Sequence, residues 1–405
     1  MPLSYPELRR ALEGERLPAL VVDRDAFDRN VARVAAAARA HGIPARIASK
    51  SLRVPALIAR ALERGAPDLA GVMTYAAGEL ALLADRGLDD LLLAYPAWDM
   101  RDLELVLERA AAGRRVCAVV DSEEAVRRWS RAAAARRATA RLAICVDMSL
   151  RALGDRVHVG VRRSPLAAPK DVLALARTIR ATSGVELVGV LGYGAQIAGL
   201  PDDDRAEGRV ARAAKRLLKR ASMRELSTRR GAIARALAAD GFALDFVNGG
   251  GTGSLEVTGP ESGVTETTCG SGLFKPTLFD GYASAVVREL EPACFFALEV
   301  TRRAAPDVVT CLGGGYVASG PPGRDRAPTP WLPAGLALLP LEMAGEVQTP
   351  VREPRGTRLP LGAPVLFRHA KAGEVAERFR EALLVSGGRI VERAPTYRGL
   401  GACFF

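Results

Sequence analysis

Ala45-Arg46-Ile47-Ala48-Ser49-Lys50-Ser51-Leu52-Arg53 places a lysine at the end of a short apolar run. A helical run over 25–40 precedes it, closed by His41-Gly42, and another opens at Val54-Pro55 and closes at Gly65. Lys50 therefore stands where a strand ends and a helix is about to begin. In a barrel of alternating strands and helices, that end of the strand faces the active site. The flanking residues Ala48, Ser49 and Ser51 are small. Position alone leaves two readings: a nucleophilic amine, or a solvated lysine at a strand end.

The same alternation extends in both directions. Leu20-Val21-Val22 reads as a first strand, with Asp23 and Asp25 able to cap the helix that follows. Strands are expected over 43–48, 69–73, 91–94, 116–120, 142–146, 187–191, 244–247 and 265–268. Helices are expected over 55–63, from a Thr74 cap to 85, over 100–111, from 123 behind an Asp121-Ser122 cap, and over 171–182 and 204–240. A period of roughly 25 residues per strand–helix pair, held for eight strands, is that of a parallel (β/α)8 TIM barrel. A doubly wound open sheet is the alternative, but no G-x-G-x-x-G follows the first strand.

After Phe274-Lys275-Pro276 the texture changes. Prolines concentrate and short apolar runs are separated by Gly/Pro turns. Strands are expected over 297–300, 307–312, 336–339 and 365–367, and at Val347. The expected organisation of this α/β chain is an N-terminal strand segment (1–24) joining a C-terminal mostly-β domain (276–405), with the barrel at 25–275.

Composition narrows the function. The 405 residues are 49% apolar and 25% charged, with no apolar run long enough to span a bilayer and no basic-then-apolar leader pattern. A cytoplasmic protein is expected. The six cysteines show no C-x-x-C, and the three histidines are far apart, so neither a disulfide frame nor a multi-histidine metal site is expected. The net charge is +11, but arginines are spread over alanine-rich helices and aromatics are only 5%, which argues against a nucleic-acid partner.

Two late loops carry glycine. Asn248-Gly249-Gly250-Gly251-Thr252-Gly253-Ser254 follows one expected strand, and Cys269-Gly270-Ser271-Gly272 follows the next. Glycines at φ > 0 let backbone N–H groups converge on an anion, and hydroxyls add donors. Each loop alone could be a plain turn. As a pair on late barrel strands they suit a phosphate.

A strand-end lysine and two late glycine loops describe pyridoxal 5'-phosphate (PLP) held as a Schiff base. With Leu17-Pro18-Ala19-Leu20-Val21-Val22-Asp23 and Asn30, the chain resembles the fold-type III PLP enzymes, and most of all their D-threonine aldolase and D-serine dehydratase branch. Alanine racemase is a more distant relative. Arg46 to Ser51 stand in the place of that branch's Arg-Pro-His-x-Lys-Thr motif. The resemblance implies that Lys50 bonds the cofactor and that Gly250, Gly251, Thr252, Gly270, Ser271 and Gly272 bind its phosphate. Tyr193, in a segment matching Tyr-x-Gly-His, would line the cofactor, with Gln196 in the histidine's place. Arg151 and Arg162 compete to bind the cofactor oxygen or the substrate carboxylate.

In the C-terminal domain His369-Ala370-Lys371 stands where the branch carries His-x-Asp or His-x-Cys, a divalent-metal motif. An ammonium does not ligate a cation and repels one. No metal is therefore expected, and His369 would be a ligand only if one were present. The reading is that Lys371 replaces the metal's charge at a β-hydroxyl or carboxylate while His369, near neutrality, handles the proton. The plainer reading is a salt bridge from Lys371 to Glu374 or Glu346, with His369 merely packed. The expected activity is aldol cleavage of a β-hydroxy-D-amino acid, a small-molecule substrate. Dehydratase (deaminase) and racemase are alternatives, and a PLP-binding regulatory protein is the non-enzyme alternative. The resemblance also implies a homodimer.

Overall fold

Apolar residues recur through the chain with the two periods that build a barrel. On the helix Arg24–Ala40, Ala26, Phe27, Asn30, Val31, Val34, Ala35 and Ala38 are buried, one stripe at helical spacing. The strands are short, buried runs, as expected where helices cover the outside. The computed structural model describes residues 3–152, 157–321 and 323–404.

In chain order the strands are β1 (Ala19–Asp23), β2 (Ala45–Ala48), β3 (Leu69–Thr74), β4 (Leu91–Leu93), β5 (Val116–Val120) and β6 (Ala140–Cys145). They continue as β7 (Leu150–Ala152), β8 (Val157–Val159), β9 (Val185–Gly192), β10 (Phe246–Gly249) and β11 (Glu266–Cys269). Strands β2 to β6 and β9 to β11 form a closed parallel barrel in sequence order, with β11 pairing back onto β2. The closed barrel removes the open-sheet alternative. Each expected barrel strand lies within two residues of an observed one at either end.

Two local expectations change. Thr74 does not cap a helix: it ends β3, its hydroxyl donates to the Leu92 carbonyl at 3.1 Å, and the helix Ala77–Asp85 starts at an Ala76 cap. The long helix starts at Arg209, after a turn, and runs to Ala239. By contrast Asp23 and Ser122 cap as expected, accepting from Ala26 N and Ala125 N.

The later strands are β12 (Cys294–Ala305), β13 (Val308–Leu312), β14 (Thr329–Leu332), β15 (Ala337–Leu338), β16 (Gln348–Arg352), β17 (Pro364–Arg368), β18 (Glu381–Ser386) and β19 (Arg389–Pro395). With β1 they form a nine-stranded sheet. β1 lies inside it, antiparallel to β12 and parallel to β18. Strands β7, β8, β14, β18 and β19 are additions to the expected set. Among the described residues, no helix is long and apolar enough to cross a membrane.

Strand alternation sets the barrel interior. Leu92, Cys117, Val119, Ala143, Val188 and Phe246 fill it with apolar volume. Above them runs a polar ladder. Arg46 is 1% exposed and pairs in a fork with Glu266 at 2.7 and 2.8 Å. Asn248 donates to Glu266 at 2.7 Å and accepts from the Thr268 hydroxyl at 3.0 Å. A buried charge is tolerated because every member is paired. One step further along β2, the same inward row reaches Ala48 and then Lys50.

Candidate active site

Lys50 lies in a single 3-10 turn, Ser49–Ser51, that follows β2 directly. The turn is pinned on both sides. The Ser49 hydroxyl donates to the Met73 carbonyl at 3.0 Å, and Arg53, at φ +56°, returns its Nε to the Lys50 carbonyl at 3.2 Å. The Lys50 Nζ donates to the Tyr95 hydroxyl at 2.9 Å. Tyr95 follows β4, at the same end of the barrel; that position, just past a strand's carboxyl end, could have marked it in the sequence.

Two cavities meet at Lys50. The inner one, about 450 Å³, sits on the barrel mouth and is lined from the carboxyl ends of most strands, including Ala48, Met73, Tyr95, Cys145, Tyr193 and Asn248. The outer one, about 600 Å³, lies between the barrel and the β domain. Lys50, Arg163, Lys371 and Ala372 line both.

The glycine loops close the inner cavity opposite the strands. Gly250, Gly251, Thr252, Gly270 and Ser271 line it. Gly250 has φ +76°, which only glycine adopts easily, and a Cβ at Gly270 would come 2.6 Å from the Ser51 hydroxyl. The loops interlock: Gly270 N donates to Thr252 Oγ1 at 3.1 Å, and the Ser51 and Ser271 hydroxyls lie 3.0 Å apart. Asn30 ties the second loop to its covering helix through the Leu273 carbonyl at 3.1 Å. Gly272 departs from expectation. It does not line the cavity; a Cβ there would come 2.2 Å from Thr252 Cγ2, so its role is close packing of one loop on the other.

These residues fit PLP. An amine faces one side, and hydroxyls with Cβ-free backbone form the other. Among the described lining residues the one carboxylate, Asp147, already accepts from Ser149 N at 2.7 Å and Arg151 at 2.6 Å. An anion would meet no free negative charge there.

Tyr193 lines the cavity as expected, and burial raises its pKa, keeping the hydroxyl protonated. Gln196 does not replace a catalytic histidine. It is 5% exposed and turned away, donating to the Met148 carbonyl at 2.7 Å. Neither expected arginine reaches the site. Arg151 bonds Asp147 outside the cavity, and Arg162 lines neither cavity. Arg163 is the one that turns in, its guanidinium 5.7 Å from the centre of the Tyr193 ring. Adjacent residues of an extended segment face opposite ways, so a one-residue offset decides which arginine enters.

His369 and Lys371 both line the outer cavity. His369 is 2% exposed and edge-on to Phe274. Burial, then the neighbouring Arg368 charge, lowers its pKa to about 3, so it is not the near-neutral acid–base group expected. Lys371 makes no ion pair with Glu374: its Nζ donates to the Ser319 carbonyl at 3.3 Å, while Glu374 accepts from Ser319 Oγ at 2.7 Å. Burial and then Arg326 lower the Lys371 pKa below its ordinary value.

A buried carboxyl supports the lysine turn from behind. Glu79 is 0% exposed, accepts from Tyr75 N at 2.7 Å and from the Tyr397 hydroxyl at 2.6 Å, and so joins the barrel to the C-terminal segment. Burial raises its pKa from 4.5 to about 7, against the lowering effect of the Tyr397 bond. A raised carboxyl pKa means the folded state binds the proton more tightly. Its stabilising effect is complete below pH 4.5 and is lost as pH rises through about 7. Relative to Glu79→Gln, the native chain should lose about 3 kcal/mol of stability across that window. Denaturant melts of both proteins at pH 5 and pH 8 measure it; parallel curves would remove the assignment.

Over residues 22–257 the chain matches the family described as "Alanine racemase, N-terminal domain". It is 25% identical to a 3-hydroxy-D-aspartate aldolase of Paracoccus denitrificans (strain Pd 1222) over 317 residues, 77% of this chain and 75% of that one. It is 26% identical to a D-threonine aldolase of Arthrobacter sp over 298 residues, 73% of this chain and 71% of that one. Its fold superposes on the crystal structure of D-threonine aldolase from Filomicrobium marinum with a TM-score of 0.77, at 23% identity and covering 95% of each chain. The family match runs from β1 through β10, more than half of the chain and all but the last barrel strand, and the chain therefore belongs to the alanine racemase N-terminal domain family, among the fold-type III PLP enzymes.

Proposed function

We propose that this chain is an aldolase that cleaves the Cα–Cβ bond of a β-hydroxy-D-amino acid. The observation that supports it most is Lys371, a second amine in the wall that both cavities share with Lys50. PLP, when bound, supplies the electron sink for the pair left on Cα. The rest falls to the chain. Lys50 is the amine for the cofactor aldehyde, and the two glycine loops with Thr252 and Ser271 are the phosphate cradle. Arg163 offers its guanidinium to the substrate carboxylate.

In aldol cleavage the hydroxyl proton leaves oxygen, the Cα–Cβ pair moves to Cα, and an aldehyde departs. Cα then takes a proton to give the shortened amino acid. With His369 buried and its pKa near 3, the proton role passes to Lys371. Lys371 takes that proton, and the ammonium formed then donates a hydrogen bond to the aldehyde oxygen. A dehydratase needs the hydroxyl itself to leave, which a Lewis acid promotes better than an ammonium. A racemase needs no group at that oxygen.

The test is product analysis with D-threonine, PLP and EDTA. Acetaldehyde and glycine in equal amounts are expected, undiminished by EDTA. 2-Oxobutanoate with ammonia would make the protein a dehydratase, and epimerised threonine a racemase. Bound PLP with no turnover of any D-amino acid would favour the regulatory reading.

A further inference from the structure

Beyond Lys371 the outer cavity continues to a wall that the proposed reaction does not use. Its volume of about 600 Å³ compares with ~30 Å³ for one water molecule, so the methyl group of threonine would leave it nearly empty. The wall is also basic: four arginines and two lysines line the cavity against two carboxylates. Both carboxylates are already committed. Glu377 pairs with Arg53 at 3.0 Å, and Glu374 holds Ser319 through its hydroxyl and its backbone N–H. An α-carboxylate answers one cation. Arg378 and Arg398, which line this cavity and not the inner one, have no carboxylate partner among the described residues; Arg398 donates to the Glu377 carbonyl, at 3.4 Å, and Arg378 lies 6.0 Å from the Tyr316 ring centre.

This wall is fixed, although it is built from the C-terminal segment. Tyr397 is 0% exposed, bonds Glu79, and its backbone N–H donates to the Arg53 carbonyl at 3.2 Å. Phe404 packs edge-on against both Tyr397 and Tyr75, at 5.2 and 6.2 Å between ring centres. The backbone next to Arg398 is thus fixed, and both arginines, though exposed, line the cavity together with Tyr75, Tyr316 and Phe404.

We propose that Arg378 and Arg398 form a distal anion subsite, so that the substrate carries a carboxylate or phosphate several atoms beyond Cβ. The inference rests on the aldolase reading of the same site and names its substrate class. In the reverse reaction, glycine and an aldehyde join to give the β-hydroxy amino acid with no other product, so the aldehyde reports on the side chain directly.

The PLP-loaded enzyme is given glycine with acetaldehyde, butanal, glyoxylate, succinate semialdehyde or glycolaldehyde phosphate. The last two should exceed butanal in kcat/KM by about 10- to 100-fold, the range of a charge-assisted contact. Whichever of them leads identifies the anion as carboxylate or phosphate. The double variant Arg378→Ala/Arg398→Ala should lose most of that advantage. Butanal as good as either, an advantage untouched by the double variant, or glyoxylate in first place would overturn the distal placement. Calorimetric titration of the same protein with succinate and with butanamide decides the subsite separately from turnover. Succinate should bind about 10-fold tighter, and the double variant should abolish the difference; equal binding overturns the inference. If no aldehyde condenses, the aldolase reading falls, and the titration still decides the subsite.

Discussion

Lys50→Ala should lose the visible absorbance of covalently held PLP together with about 10⁴-fold or more of its turnover, the scale on which removal of an essential nucleophile acts. The reasoning is geometric. Lys50 is carried past the end of a buried strand on a turn fixed by Ser49 and Arg53, and its amine is aimed across the barrel mouth at Tyr95. It lies on the border of the cavity whose opposite side is the glycine cradle. Among the described residues its one side-chain hydrogen bond is to Tyr95, so the substitution should leave the melting curve nearly unchanged. The control is built into the site, because Lys371 lines the same cavity. Borohydride reduction followed by peptide mass analysis should place the cofactor on Lys50 in the native protein and on no peptide in the variant. A label on Lys371, or an undiminished band in Lys50→Ala, would overturn the assignment and invert the roles of the two lysines.

The barrel was legible because its signals are local. Each strand is a short run of Val, Ile, Leu, Ala or Cys, each helix a striped segment, and Gly87, Gly113 and Gly241 mark breaks between them at positive φ. The lysine turn and the phosphate loops were legible for the same reason, since their chemistry is contiguous in sequence. What the sequence hid depends on contacts between distant segments. β18 pairs in parallel with β1, some 360 residues away, and no local periodicity announces that partner. Arg163 enters the cavity and Arg162 does not, a matter of one residue of phase in an irregular loop. The motif presents His369 as an acid–base group, but β12 and Phe274 enclose it; burial is a property of the packed sheet, not of the motif. Tyr397 and Glu79, 318 residues apart, share a hydrogen bond that neither flanking sequence foreshadows.

The proton role proposed for Lys371, at the place where the sequence resemblance implies a metal ligand, yields the sharpest mutational expectation. Lys371→Met keeps the length and apolar stem of the side chain and removes the amine. Cleavage should fall by about 10²- to 10³-fold, the usual loss when one group that stabilises charge at a reacting oxygen is deleted. The fall should be in kcat more than in KM, because the interaction strengthens as the proton moves. Folding should be spared, since among the described residues the amine's one hydrogen bond is to the Ser319 carbonyl at 3.3 Å. Lys371→Asp asks the converse question. It recreates His-x-Asp beside a histidine that burial already holds neutral, the protonation state in which imidazole ligates metals. Turnover by this variant should be near the Lys371→Met level in EDTA and rise at least tenfold with Mn²⁺, while the native enzyme responds to neither. Native activity lost to EDTA would show that a metal operates beside Lys371 and that the ammonium does not replace it. A Lys371→Met enzyme as fast as the native one would move the proton transfer to another group, and Tyr95, already bonded to Lys50, is the hydroxyl that would then stand nearest the chemistry.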